Sequence, residues 1–411
     1  MIFLRVQFIF LIISGILNAG TFSEEYGDLK FKTSGYFESK IKQSEFSNNT
    51  KNLKNEKVNL SMARIKAFSK LEYNNLSIHN TLIFQQNSKA MTFTDYNGFY
   101  ADHVKKDIYV DDLYLQYVFL KNNNIDYSLA YGSISLSGGN FKKYSYNDIK
   151  DSNMLYTMTN ITVLGPWFVM SSDNFIFRLG YGEWTYNSYT NNTDLRKFLN
   201  ESKGYYSSFE YNFKNPNSLQ LIELNYFKIT TIYDFEGYKP FDMTYENLYA
   251  LGYSYENFEN SYVLYTILMY SDVYERAGTF KDEHHLPSFL YTSDNRFKGQ
   301  AILLGTKKYI DIKGNEYNIG FEYFGTSKNF VSVNIGDYFD NNYGIFPRRG
   351  TDMYTIYGGV NIDNKYFINI KAFESNNKYS ADIGIANTTD KPIKGLFGKE
   401  IGISLSFIWK F

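Results

Sequence analysis

The sequence predicts an all-β chain: a transmembrane antiparallel β-barrel of about 16 strands, with short turns at one rim and long loops at the other. Three observations carry that expectation. Apolar and polar residues alternate with period two along most of the 411 residues, the signature of a strand with one apolar and one polar face. The connections between such segments alternate short and long. No apolar run of the ~20 residues a spanning helix needs occurs after residue 20. Aromatic residues nevertheless make up 19% of the chain, with 40 Tyr and 36 Phe.

The first 20 residues, MIFLRVQFIFLIISGILNAG, carry one positive charge at Arg5, an apolar core from Val6 to Leu17, and a small-residue end at Ala19 and Gly20. This is the pattern of a secretory signal peptide over 1–19, with residues 20–411 forming the barrel. An N-terminal anchor is the rival reading, and its apolar core is short for a span. The chain has no Cys, so the exported protein relies on hydrogen bonding rather than on disulfides. The full chain's net charge of −1 gives no argument for a nucleic-acid partner.

The strands follow in order. In LKFKTSGYFESKI (strand 29–43), Leu29, Phe31, Thr33, Gly35, Phe37 and Ile41 oppose Lys30, Lys32, Ser34, Tyr36, Glu38 and Lys40. Strands 58–73, 75–88, 108–120, 125–137 and 154–166 come next, with short polar turns near Asn74 and at 121–124. In NFIFRLGYGEW (strand 174–187), Phe175, Phe177, Leu179 and Tyr181 alternate with Ile176, Arg178, Gly180 and Gly182. In GYYSSFEYNF (strand 203–213), Tyr205, Phe209, Tyr211 and Phe213 lie opposite Tyr206, Ser208, Glu210 and Asn212. Strands 218–232, 246–256, 260–273 and 299–311 precede NEYNIGFEYF (strand 315–326), where Tyr317, Ile319, Phe321 and Tyr323 share one face and Glu316, Asn318, Gly320 and Glu322 the other. Strands 351–361, 365–375 and 399–411 complete the set.

The long connections are 44–57, 89–107, 138–153, 188–202, 233–245, 274–298, 327–350 and 376–398. Counts of 14 or 18 fit the same rhythm, with 274–298 and Tyr379–Asn387 as the places where a strand would be gained. An even count puts both chain ends on the short-turn side. Roughly ten residues separate the cleavage site from the first strand, too few for a plug domain.

The last strand, IGISLSFIWKF, has Ile401, Ile403, Leu405, Phe407, Trp409 and Phe411 on one face. Gly402, Ser404, Ser406 and Lys410 lie on the other, with Ile408 as the exception. Hydrocarbon demands that every backbone polar group be paired within the protein, which a closed barrel achieves. The alternating face then meets lipid, and the final aromatics sit at an interfacial girdle.

A C-terminal strand of this kind ending in Phe, joined to a leader and this hairpin rhythm, resembles the outer-membrane β-barrels of Gram-negative bacteria. With about 16 strands the chain resembles a general porin. The resemblance implies location in the outer membrane, contact with its lipid, and insertion by the barrel-assembly machinery reading Phe407, Trp409 and Phe411. It implies a homotrimer and passive diffusion of ions and small hydrophilic solutes, short turns facing the periplasm and long loops outside. It implies no chemical step and no cofactor. Rival readings are a substrate-selective channel, a barrel enzyme, and an adhesin with a closed lumen.

Alternation nominates Lys30, Lys32, Glu38, Lys40, Arg178, Glu210, Glu223, Glu316, Glu322, Lys371 and Lys410 as lumen-facing. Both signs occur in similar numbers, which argues against a strong ion preference. In the porins this chain resembles, the third long loop folds inward. Here that segment is Gly138 to Asp151, with Lys142, Lys143, Asp148 and Asp151 as constriction residues. Gly138 and Gly139 permit a sharp departure from the strand. The sequence lacks the longer acidic motif of well-known trimeric porins, and an external loop is the alternative. One cluster could carry chemistry, KDEHH at Lys281–His285, where Asp282, Glu283, His284 and His285 have the side chains of a base or metal site. An exposed polar loop is the plainer reading. DYFDNNYG (Asp337–Gly344) lacks EF-hand spacing, so no metal is expected.

Overall fold

The computed structural model describes residues 22–47, 56–87, 106–138, 159–185, 203–233, 241–275, 295–330, 350–377 and 399–411. They form seventeen strands: β1 (Phe22–Tyr26), β2 (Leu29–Ser47), β3 (Glu56–Tyr73), β4 (Leu76–Asn87), β5 (Lys106–Asn122), β6 (Ile125–Gly138), β7 (Thr159–Ser171), β8 (Phe175–Thr185), β9 (Lys203–Asn215), β10 (Ser218–Tyr233), β11 (Phe241–Asn257), β12 (Tyr262–Glu275), β13 (Asn295–Ile312), β14 (Asn315–Thr326), β15 (Thr351–Ile362), β16 (Tyr366–Asn377) and β17 (Lys399–Lys410). Every strand from β2 to β17 pairs antiparallel with its sequence neighbour, and β17 pairs with β2. Sixteen strands therefore close a barrel and leave no open edge.

The described connections from Asn74 to Lys365 are two to four residues long. They sit at one rim, as the sequence predicts. Several need a left-handed backbone. Asn123 and Asn124 have φ of 48° and 63°, Lys313 and Gly314 55° and 82°. Two consecutive positive φ values make the primed hairpin turn, whose twist matches that of the strands it joins.

Two features differ from the sequence reading. An additional strand, β1, pairs with the first residues of β2, from Phe22 opposite Thr33 to Tyr26 opposite Leu29. It lies on the edge of β2 that β17 occupies further along, so it prolongs the line of β17 beyond the chain end. Five residues leave little periodicity to read.

The strand expected at 154–166 is instead β7, Thr159–Ser171, and so runs through Pro166. Pro has no N–H and normally ends a ladder. Here the β7–β8 ladder is interrupted at Gly165 and Pro166 and resumes at Trp167 opposite Gly180 in unchanged register. Pro166 still sits opposite Tyr131 of β6. The segment Tyr379–Asn387 lies outside the described residues, as do the leader, KDEHH and DYFDNNYG.

The two faces of the wall separate cleanly. On β17, Ile401, Ile403 and Leu405 are 52%, 45% and 47% exposed, while Glu400, Ser404 and Ser406 are at most 3% exposed. The exposed face of the other strands is likewise apolar, for example Leu224, Leu251, Leu268, Leu304, Ile319 and Ile356. Rows of aromatic rings border this band. Toward the long-loop side Tyr226 and Tyr249 lie 5.0 Å apart, Tyr249 and Tyr270 6.0 Å, and Tyr323 and Tyr354 5.2 Å. At the short-turn side come Tyr211 and Phe213, Tyr255 and Tyr262, Tyr366 and Phe407, and Trp409 and Phe411. An apolar band between aromatic girdles is the exterior of a membrane barrel.

Candidate channel wall

Alternation along β2 turns Glu38, Lys40 and Lys42 inward, and along β3 Arg64 and Lys66, all buried. Around the closure they meet Glu400 of β17, Lys371 of β16, Glu322 of β14 and Lys307 of β13, also buried. Six basic and three acidic side chains are thus concentrated on one contiguous stretch of the inner wall. Arg64 donates to Glu38 across the β2–β3 pair. Lys42 approaches Glu400 at 3.3 Å. Several ammonium groups also keep company with rings: those of Lys42 and Lys371 stand 5.1 and 5.3 Å from the centre of Phe373, and that of Lys307 stands 4.9 Å from Tyr309. Ring faces are negative and attract ammonium groups.

Glycines let these rings lie flat. Phe373 is opposite Gly402 and covers it, Tyr265 covers Gly305, and Tyr357 covers Gly320. A Cβ at any of the three glycines would sit inside the ring above it. Tyr265 thereby reaches over β13 to Glu322, to which it donates, and the hydroxyls of Tyr265 and Tyr357 meet at 3.1 Å. Two tyrosines from the strands flanking β13 and β14 thus meet hydroxyl to hydroxyl, and one of them holds the carboxylate.

A second, smaller polar group lies on β8–β10. Arg178 Nη1 is 2.5 Å from Glu210 and 3.3 Å from the Ser208 hydroxyl. Tyr206 donates to Asn225 at 3.0 Å, and Asn225 donates to Glu223. Around it the inner wall is apolar: Trp167, Phe227, Leu248, Ile267, Met269 and Leu303 are at most 4% exposed and belong to one cluster. The structure places large apolar side chains there, because β12 and its neighbours carry apolar residues at both parities.

The nominated residues therefore fall into three sets. Glu38, Lys40, Glu322 and Lys371 share the basic wall. Arg178, Glu210 and Glu223 form the second group. Lys30 and Lys32 lie near the short-turn rim, paired with Glu25 at 3.1 Å and Glu72 at 3.9 Å, and Glu316 is exposed one residue from its turn. Lys410 stands 4.2 Å from the Phe367 ring centre. Ile408 packs with Tyr36 and Phe367 in a small interior cluster, which accounts for its apolar character. Lys142, Lys143, Asp148 and Asp151 are outside the described residues. Lys42, Arg64, Lys66, Lys307 and Glu400 were not nominated, although the same alternation marks them.

The chain's terminal signature is seated at the barrel seam. Phe407 is 37% exposed and Phe411 8% exposed. Among the described residues no group of His, Asp and Glu is arranged to hold a metal ion.

Solved structures share this architecture. OprB of Pseudomonas putida superposes with a TM-score of 0.55 at 9% identity, over 97% of this chain and 96% of that one. An anion-selective porin from Comamonas acidovorans gives 0.51 at 12%, covering 93% and 100%. OmpF of Salmonella typhi, solved in complex with daunomycin, gives 0.52 at 11%, covering 95% and 100%. The fold is that of the outer-membrane porins. The agreement spans nearly the full length of each porin, so the porin-like barrel is the whole described structure rather than one part of it. At these identities the likeness concerns the fold. No protein-family model matches the sequence, and no curated protein matches it.

Proposed function

We propose that this protein is an outer-membrane channel that lets ions and small hydrophilic solutes diffuse passively. The observation that carries this is the charged wall. Nine ionisable side chains on β2, β3, β13, β14, β16 and β17 point into a barrel whose outside is apolar. Burying a charge is costly unless partners or a solvated path offset it. A purely structural barrel gains nothing from placing so many in its interior.

The channel works without a chemical step. The solute gradient drives the flux, and the wall charges replace part of the hydration shell of a passing ion. Basic residues outnumber acidic ones on that wall, so the pore prefers anions. One of the similar porins bears the name anion-selective, which agrees with this reading. Delivery by the 1–19 leader, assembly as a homotrimer and insertion through the terminal aromatics complete the proposal.

A specific observation favours a selective channel over a general one. The inward charges are almost fully buried, whereas a wide aqueous lumen of sixteen strands leaves its wall wet. The experiment is single-channel recording of purified protein in a planar bilayer with unequal KCl across it. Conductance steps with an anion-side reversal potential support the proposal, and Lys42→Glu with Lys371→Glu should move that potential toward cations. Silence from folded protein overturns it.

A further inference from the structure

Inward-facing groups at one depth differ sharply in their contact with water. Lys70 of β3, Arg178 of β8, Ser254 of β11, Tyr265 of β12, Asn318 of β14 and Asn369 of β16 all stand three residues from the end of their strand at the short-turn rim. All six point inward by alternation. The side chains of Lys70 and Arg178 are 38% and 34% exposed. Ser254, Tyr265, Asn318 and Asn369 are 0%, 4%, 7% and 5% exposed. Distance from the rim therefore does not set the difference; the side of the barrel does. Water reaches the inner wall on β3 and β8, and at the same height it is excluded from the wall on β11, β12, β14 and β16.

The wet side carries charges of both signs in adjacent pairs. Lys70 is paired with Glu72, which is 28% exposed, and Arg178 with Glu210, which is 31% exposed. Between the two pairs His79 of β4 and Tyr114 of β5 are half-buried and stack face to face, their ring centres 4.5 Å apart. From this asymmetry we propose that solutes pass along the β3–β9 side of the lumen and that Arg178 with Glu210 is the charged pair they touch there. The inference rests on the channel reading above. The buried basic wall acts on a passing ion through its field. Arg178 and Glu210 offer something else: a third of each side chain is open to water, so an ion can exchange part of its hydration for direct contact with one of them. A partly exposed pair is held together weakly, which lets either partner turn to the solute. The opposite charge alongside keeps that contact weak enough for release.

The chain has no Cys, so single thiols can be introduced without background. Arg178→Cys and Glu210→Cys report the proposed path. Ser254→Cys and Asn369→Cys report the dry side at the depth of Arg178. Each full-length mature variant is treated with a sulfonate-bearing methanethiosulfonate, in planar bilayers for the current and in liposomes for the extent of labelling by mass. Thiol reactivity follows exposure, so labelling should be roughly tenfold faster at positions 178 and 210 than at 254 and 369. Labelling of Arg178→Cys should also lower the conductance and shift the reversal potential toward cations, because a sulfonate then stands where the guanidinium stood. Equal rates at all four positions overturn this inference and leave the channel reading standing. So does labelling at 178 and 210 that leaves the current unchanged. Absence of conductance from folded wild-type protein overturns both. Either wet-side variant decides the matter if the other does not assemble.

Discussion

The backbones of Phe411 and Gly35 exchange two hydrogen bonds, each of 2.9 Å, and the Phe411 ring lies on the Gly35 backbone. The last residue of the chain is thereby fastened to the first strand of the barrel, just past the end of the β17–β2 ladder. A ring laid over a glycine on a neighbouring strand shields backbone that has no side chain of its own. The terminal aromatic thus contributes to closing the cylinder as well as to its outer girdle.

Gly35 should not tolerate a side chain. A Cβ there would stand 2.6 Å from the Lys66 carbonyl and 2.7 Å from the ring of Phe411. The carbonyl is part of the β2–β3 ladder and cannot yield. Gly35→Val should cost about 1–3 kcal/mol through overpacking and slow barrel closure. Heat-resistant migration of the detergent-folded protein on electrophoresis is the readout, and unchanged resistance would refute the seam.

The direction of each face on β17 is testable with one residue type. Leu405→Lys puts a charge on the lipid side and should destabilise the barrel by about 2–4 kcal/mol near the midplane. Ser404→Lys, on the inner face between Lys371 and Lys42 in register, should leave the lipid contact intact and shift ion preference further toward anions. Urea unfolding from lipid vesicles together with reversal potentials separates the two.

Arg64 and Glu38 are both buried, at 2% and 0% exposure. Breaking such a pair strands a charge in the interior, at a cost of about 3–5 kcal/mol. Glu38→Gln alone should show that loss in unfolding free energy. Combining it with Arg64→Met should recover much of it, since an apolar replacement of the whole pair is often neutral. Additive losses would show that the two do not act together.

Gly320→Val tests the flat-ring arrangement. The new side chain would occupy the place of the Tyr357 ring, and the ring, at the far end of its side chain, would swing toward the barrel axis. Folding should survive while single-channel conductance falls. Equal conductance would mean that the ring does not border the path.

Much of this molecule is written at period two, and period two is local. Alternation at Tyr317–Tyr323 or Ile401–Phe407 reports which side chains share a face without knowledge of the partner strand. The sixteen barrel strands, their short turns and the outward face were therefore legible from residues alone. The displaced β7 was not, because Pro166 ordinarily ends a strand and only the neighbouring ladder shows that it is bridged. β1 is too short to announce itself.

What the tertiary structure decided is adjacency around the ring. Lys307 and Lys42 are separated by hundreds of residues in the chain, and a row of paired strands joins them through Tyr357 and Lys371. Alternation marks each as inward, but only closure of β17 onto β2 assembles them into one basic wall and sets that wall across from Phe227 and Leu248. The stretch Val263–Tyr270 illustrates the limit from the other side. It is apolar at both parities, so no local rule distinguishes its lipid face from its inner face, and the register against β11 and β13 makes the choice.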